Sequence, residues 1–129
     1  MSTDLGVGSR LPAYCTSMGR VLLAYQSQEE LREYVARAKF SARTKRTITS
    51  RGKLLEELAD VRRKRYAIVD QELEMGLRSV AVPVFGKAGT VVAAMNAGTQ
   101  AARVSIGELK ERIYPQLQMA AARLSGLLR

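Results

Sequence analysis

The hydrophobic pattern of the chain changes its period near Tyr66, and this change is the strongest constraint on its fold. Before Lys64, apolar residues recur every three to four positions, which is the repeat of an amphipathic helix. After Tyr66 they alternate at every second position, which is the repeat of a half-buried strand. Separate blocks of helix and strand predict an α/β domain of the α+β type, in which helices flank a sheet.

The helical block predicts three helices. The first spans residues 12–25 and opens with Pro12, which suits a first helical turn. Ser27 and Glu30 have the spacing of a capping box and predict a second helix to about Ala38. A third covers residues 50–64. The apolar positions that should face the core are Cys15, Met18, Val21, Leu22 and Tyr25 in the first helix, and Leu54, Leu55, Leu58 and Val61 in the third.

The second block predicts strands at residues 66–69, 77–85 and 90–97, with a turn at 86–89. Alternation in the central strand puts Leu77, Ser79, Ala81 and Pro83 on one face, and Arg78, Val80, Val82 and Val84 on the other. Ser105 and Glu108 then predict a capped terminal helix, which Pro115 bends or divides. Three strands are few for this much helix, so we expect further strands outside this sequence.

The composition of the chain limits the kinds of functional site that it can form. The 129 residues fit one domain, and 47% of them are hydrophobic. The chain has no histidine and a single cysteine, Cys15, which argues against zinc sites and histidine-activated nucleophiles. We therefore expect no metal, no cofactor and no enzymatic activity. No apolar run is long enough to span a membrane and no secretory signal is visible, so the chain is expected to be cytoplasmic, with no membrane partner.

The charge is strongly basic. Lysine and arginine number 21 against 12 acidic residues, a net charge of +9. Between Arg37 and Lys53 there are seven basic residues and no acid, and residues 62–65 add four more. Such a patch can bind phosphates nonspecifically. No recognition helix or zinc-finger spacing accompanies it, so a solvated basic face is favoured over a nucleic-acid-binding module.

Two segments resemble a known family. Residues 11–24, Leu-Pro-Ala-Tyr-Cys-Thr-Ser-Met-Gly-Arg-Val-Leu-Leu-Ala, resemble the helix that opens the sensing core of IclR-family bacterial transcription regulators. Residues 70–85, Asp-Gln-Glu-Leu-Glu-Met-Gly-Leu-Arg-Ser-Val-Ala-Val-Pro-Val-Phe, resemble the second signature of that family, an acidic loop followed by a Gly-Leu-Arg strand. Residues 8–19 are most similar to the subgroup that controls aromatic-acid breakdown through protocatechuate and β-ketoadipate.

The resemblance implies a domain organisation and partners. Residues 1–129 would be part of a GAF-like effector-binding domain that begins after its first strands, with no DNA-binding domain among them. Operator DNA would be bound only through an N-terminal winged helix-turn-helix elsewhere in the regulator. The regulator would form a homodimer or homotetramer. Apolar positions on the terminal helix that could contribute contacts are Ile113, Leu117, Leu124 and Leu128.

The resemblance also implies a pocket for a small carboxylate between the first helix and the sheet. The residues at matching positions are Ser17, Met18, Gly19, Leu77, Ser79, Asn96 and Gly98, with Asp70 at the edge. Hydroxyl and amide groups can donate to a carboxylate. Each position also has a structural alternative: Ser17 could bond a helix carbonyl, Gly19 could permit a tight crossing, and Ser79 could be a small core residue. Asn96 could cap a turn.

Two further expectations concern charged residues. Arg78 alternates away from Leu77 and Ser79, so we expect it to form a structural ion pair with Glu72 or Glu74 rather than to hold the ligand. The alternative that the chain is an enzyme acting on a small carboxylate would need a general base, and Asp70 is the only nearby candidate.

Overall fold

The first helix of the domain is interrupted near its start. A computed structural model describes residues 11–128 and shows a single 3₁₀ turn, Ala13–Cys15, followed by helix α1, Ser17–Ala24. Between them Thr16 is extended (φ −119°, ψ 149°), and its Oγ1 accepts the N–H of Gly19 at 3.2 Å. Threonine is a favoured N-cap because its hydroxyl satisfies an otherwise unpaired N–H. The continuous helix predicted over residues 12–25 is therefore wrong at Thr16.

The next two helices begin close to their predicted starts. Helix α2 spans Gln28–Arg37, with the reciprocal capping box of Ser27 and Glu30 in place. Helix α3 spans Arg51–Lys64 and is capped by the Ser50 side chain. It ends at Arg65, which adopts the left-handed conformation (φ 66°) that commonly terminates helices.

Within residues 11–128, three strands form one antiparallel sheet in the order β1-β2-β3. Their bounds are Ala67–Asp70, Leu77–Phe85 and Val91–Gln100. The mixed helix and antiparallel sheet confirm the predicted fold class. Strand β3 continues three residues beyond the predicted end at 97, and Asp70 is the last residue of β1 rather than part of a loop.

The terminal helix contains an irregularity before its proline. Helix α4 spans Ile106–Glu108, a π-helical segment follows at Leu109–Ile113, and helix α5 covers Tyr114–Leu127. Pro115 lies in the first turn of α5. Because proline cannot donate a backbone hydrogen bond and its ring collides with the preceding turn, a wider turn just before it relieves the conflict.

The two faces of β2 pack against different helices. On one face, Ala81 joins a core cluster with residues of α1 and α3 such as Val21 and Leu58. On the other, Val82 and Val84 pack with Ala121 of α5. This arrangement confirms the alternation predicted for the central strand.

The buried side of α1 is not the apolar stripe predicted from its sequence. The side chains of Ser17, Arg20 and Val21 are buried, at 2%, 1% and 0% exposure. Met18 and Leu22, expected in the core, are 38% and 44% exposed. The helix is rotated because Arg20 has a buried partner, described below, and a paired charge can occupy a core position.

Candidate functional site

Two serine hydroxyls join α1 to the central strand. The Ser79 Oγ donates to the Ser17 Oγ at 2.9 Å, and both residues are buried. They lie at one end of the contact between the helix and the sheet. Each hydroxyl can both donate and accept. Either serine can therefore bond to a polar group of a ligand instead of to the other serine, and no buried oxygen is left without a partner.

Strand pairing places other predicted site residues beside Ser79. In the register of β2 and β3, Ser79 lies opposite Gly98 and Ala81 lies opposite Asn96. Residues directly opposite each other share a face of the sheet, so Asn96 and Gly98 lie on the face that α1 covers. Both are exposed. Gly98 thus lies directly across from the buried Ser79, and the exposed Asn96 lies on the same face of the sheet.

Leu77 borders the same surface, and Met18 is the neighbour of Ser17 in α1. A Cβ placed on Gly98 would lie 3.9 Å from the Leu77 Cδ1, so Leu77 is the apolar neighbour of this glycine. Met18 follows Ser17 on α1 and is partly exposed. The surface therefore combines apolar side chains with hydroxyl and amide groups, which is the composition typical of small-molecule sites.

Gly19 has a packing role. A Cβ at this position would lie 2.4 Å from the Cα of Ala13 and 2.5 Å from the Thr16 Oγ1. Its N–H is already bonded to Thr16. Only glycine allows α1 to start this close to the preceding turn, as in the structural alternative of a tight crossing.

Asp70 is the predicted site residue that the structure separates from the others. It pairs with Arg78 across the β1–β2 register and so lies on the face opposite Ser79. Its carboxylate accepts from the Arg78 Nε and the Arg46 Nη1, each at 2.9 Å. Burial raises the pKa of Asp70, but the hydrogen bonds from Arg78 and Gln71 and the two arginine charges outweigh it and hold this pKa below the usual value. A carboxylate so stabilised is a poor general base.

Arg78 forms the structural ion pair that was predicted, with a partner, Asp70, that was not predicted. Cross-strand neighbours are the nearest groups that a strand side chain can reach, and the carboxylate of Glu72 is bonded to Arg20 instead. The Arg78 Nη1 also donates to the carbonyls of Val104 and Ala101, at 2.6 and 3.3 Å. The arginine thus ties the β1–β2 hairpin to the chain that leads into α4.

Sequence reasoning missed the pair formed by Arg20 and Glu72. The Arg20 Nη1 and Nη2 donate to the two carboxylate oxygens of Glu72, at 2.8 and 2.6 Å. One signal could have found the arginine: Arg20 is three residues after Ser17 and therefore on the same side of α1. Its partner is 52 residues away, which no local pattern reveals.

Two surface depressions lie away from the serine pair. One, of about 730 Å³, lies between α5 and the end of β2 and includes Arg65 and Phe85. The other, of about 420 Å³, lies between α2 and α3 and includes Leu31 and Leu55. Neither is lined by any of the eight predicted site residues.

Two other kinds of site were sought over residues 11–128. No cluster of three or more acidic or cysteine side chains is placed to hold a metal ion there. In the same part of the chain, no helix combines the length and apolar character needed to cross a membrane.

Comparisons with known proteins agree with the motifs. The family model described as bacterial transcriptional regulator IclR C-terminal matches residues 1–126. The Pca regulon regulatory protein of Pseudomonas putida is 50% identical over 123 residues, which are 95% of this chain and 42% of that protein. The chain therefore belongs to the IclR family of bacterial transcriptional regulators, which confirms the predicted resemblance. It corresponds to the C-terminal part of such regulators and spans less than half the length of this curated relative.

Solved structures show the same fold. A transcriptional regulator of Rhodococcus sp. RHA1 superposes with a TM-score of 0.95 at 43% identity, covering 99% of this chain and 52% of that one. The inducer-binding domain of PobR from Acinetobacter, a double mutant in complex with 3-hydroxybenzoic acid, superposes with a TM-score of 0.89 at 36% identity. That match covers 93% of this chain and 69% of the PobR chain.

Proposed function

We propose that this chain is the sensing part of an IclR-type regulator and binds a small carboxylate at the surface between α1 and the β2–β3 pair. The effector is an aromatic-acid catabolite or an acid similar to β-ketoadipate. Its binding alters DNA binding by an N-terminal winged helix-turn-helix elsewhere in the cytoplasmic regulator. The residues assigned to the site are Ser17, Met18, Gly19, Leu77, Ser79, Asn96 and Gly98. Asp70 is left out because it lies on the opposite face.

The observation that carries this proposal is the bond between the Ser17 and Ser79 hydroxyls at 2.9 Å. The two hydroxyls lie beside the exposed residues Asn96 and Gly98, so an entering carboxylate could accept hydrogen bonds from groups that are already in place. Hydrogen bonds to a charged partner are about twice as strong as those between neutral groups.

The relatives support the class of ligand. The PobR inducer-binding domain was solved with 3-hydroxybenzoic acid, and 36% of aligned residues are identical to this chain. The relative from Pseudomonas putida is a regulon regulator. Met18 adds an adaptable apolar wall next to Ser17, which fits an effector with a ring or a methylene chain.

Calorimetric titration with a small panel tests the proposal. The probes are 3-hydroxybenzoate, protocatechuate and β-ketoadipate, with neutral 3-hydroxybenzyl alcohol as the control that lacks the carboxylate. We expect saturable binding of at least one acid without turnover, and no measurable binding of the alcohol. Equal binding of the alcohol, or consumption of a bound acid, would contradict the proposal.

Assembly and DNA binding belong to the complete regulator. We expect homodimers or tetramers, with the exposed end of α5 near Leu127 and Leu128 available for contacts. Leu117 and Leu124, the other apolar positions considered on that helix, pack largely against the core of the domain. Sedimentation of the full regulator checks the assembly. This chain alone should not bind operator DNA selectively at physiological salt, because its sequence carries no recognition-helix motif, and any nonspecific retention by its basic face would fall steeply with salt.

A further inference from the structure

A buried ion pair fixes the start of α1. The guanidinium of Arg20 donates from Nη1 and Nη2 to both carboxylate oxygens of Glu72. Its Nε donates to the Tyr14 carbonyl at 2.9 Å. Arg20 is 1% exposed. All three nitrogens of the planar guanidinium are thus hydrogen-bonded inside the protein. These bonds determine the orientation of the guanidinium as well as its position.

Glu72 is also held by hydrogen bonds to residues other than Arg20. Its Oε1 also accepts the backbone N–H of Ile48 at 2.9 Å. The carbonyl of Glu72 accepts from the Thr47 hydroxyl at 2.6 Å. The carboxylate therefore has a fixed place in the loop that follows β1, independent of the arginine.

Stability alone does not require such a pair. Two buried charges lose their hydration, and well-packed apolar side chains of similar volume are often as stabilising or more so. What the charged fork adds is direction, because each of its hydrogen bonds weakens steeply when the angle changes. The pair holds α1 in one orientation that apolar packing would not impose.

That orientation concerns the serine site directly. Ser17 and Arg20 lie one turn apart on the same side of α1. Ser79 pairs with Val69 in the β1–β2 hairpin, and Glu72 lies in the loop of the same hairpin. The helix therefore has two polar links to one hairpin, one through the serine hydroxyls and the other through the ion pair.

We infer that Arg20 and Glu72 are positioning residues for effector binding. They hold α1 over β2 so that the Ser17 and Ser79 hydroxyls stay in register, and neither contacts the effector. This inference rests on the proposed function, but the position of α1 can be measured without an effector.

The decisive variant replaces both charges together, Arg20→Met with Glu72→Leu. Cys15 is the single cysteine of the chain, is fully buried, and follows Tyr14, whose carbonyl Arg20 holds. Its rate of reaction with Ellman's reagent therefore reports local opening of the contact between α1 and the 3₁₀ turn that Arg20 binds. We expect the double variant to keep most of the wild-type stability against urea, yet to react with the reagent about tenfold faster or more. An unchanged rate in the folded double variant would overturn the inference.

A control separates local opening from loss of global stability. Val84→Ala weakens the other core cluster, on the far face of β2, and shows how much Cys15 reactivity rises from lower stability alone. If the double variant does not fold, Arg20→Lys decides: it keeps the charge but loses the fork and the bond to Tyr14. Cys15 labelling faster in Arg20→Lys than in Val84→Ala supports the inference, and labelling no faster overturns it.

A second measurement connects the pair to the site. The probe is whichever of the three acids binds the wild type. We expect it to bind the double variant at least about tenfold more weakly, although this variant keeps most of the wild-type stability. Wild-type affinity in a double variant that labels faster would show that α1 is loosened without consequence for binding, which overturns the inference. If no acid binds the wild type, the proposed function fails and the labelling result still decides whether the pair positions α1.

Discussion

Both faces of the central strand β2 pack apolar side chains against helices, but they differ in the polar contacts that accompany this packing. On the face toward α1, the contacts include a hydroxyl pair and an ion pair in the adjoining loop, beside small residues such as Gly98. On the face toward α5, Val82 and Val84 pack against Ala121. Apolar packing depends on buried area and tolerates small rotations, whereas hydrogen bonds fix angles. The face toward α1, the directional face, combines a large apolar cluster with these polar contacts and is the one suited to recognising a ligand, whereas the face toward α5, the apolar face, depends mainly on apolar packing.

Removing one charge from the ion pair should have the largest effect. Arg20→Met alone leaves Glu72 buried without its partner, and we expect a loss of about 3–5 kcal/mol in the free energy of unfolding. Urea denaturation followed by circular dichroism measures it. Adding Glu72→Leu should restore most of the loss. If the double variant is as unstable as the single one, the ion pair contributes net stability as well as orientation. The two faces would then differ less in function.

Removing a hydroxyl from the directional face should separate binding from stability. Ser79→Ala deletes the donor to Ser17 and should weaken binding of a carboxylate effector by about 1.5–3 kcal/mol, the range for hydrogen bonds to charged groups. That is on the order of tenfold to a hundredfold in dissociation constant. Stability should fall by only about 1 kcal/mol, since serine to alanine opens almost no cavity.

A matched serine lies on the other face of the sheet. The Ser125 Oγ donates to the Phe85 carbonyl at 2.6 Å, so Ser125→Ala also deletes one hydroxyl bond. Calorimetry should find its effector affinity unchanged. Equal weakening by Ser79→Ala and Ser125→Ala would mean that the loss is general and that Ser79 is only a core residue.

Truncating the apolar face should lower stability and leave binding alone. Val84 is 1% exposed, and Val84→Ala removes two methyl groups from the contact with α5. We expect a loss of about 1.5–2 kcal/mol in the free energy of unfolding from lost transfer energy and the cavity that remains. Thermal and urea unfolding measure the loss of stability. Calorimetry should give an effector affinity within about twofold of the wild type, as expected if this face does not take part in binding.

Local sequence rules predicted much of this organisation. Ser27 and Ser105 cap the helices that they were expected to cap, because capping needs only a side chain and the next turn. Alternation assigned Ser79 and Val82 to opposite faces, because the period of a strand is fixed by its backbone.

Other features depended on partners far along the chain. The burial of Arg20 follows from Glu72, which is distant in sequence, so a hydrophobicity pattern predicts the wrong buried stripe for α1. The partner of Arg78 required the β1–β2 register, which sequence alone did not supply. Thr16 interrupts the first helix because its hydroxyl serves as a cap, and threonine is also compatible with a helix interior.

The smallest expected effect is that of replacing Asp70, which should change the pH dependence of stability and leave effector binding unchanged. Burial raises the pKa of Asp70, but the hydrogen bonds from Arg78 and Gln71 and the charges of Arg78 and Arg46 outweigh it and hold this pKa below its usual value. Below the unfolded pKa of about 3.9 the unfolded chain binds a proton that the folded one does not, so this part of the stability is complete above that pH and is lost as the pH falls through the folded pKa. Asp70→Asn should lower the free energy of unfolding by about 1 kcal/mol at pH 7, and the difference from the wild type should shrink in urea titrations below about pH 4.

Since Asp70 faces away from Ser79, effector affinity of Asp70→Asn at pH 7 should be unchanged. A tenfold loss of affinity in Asp70→Asn would instead return this carboxylate to the binding site, as its position in the sequence motif first suggested, and the division of labour between the two faces would have to be abandoned.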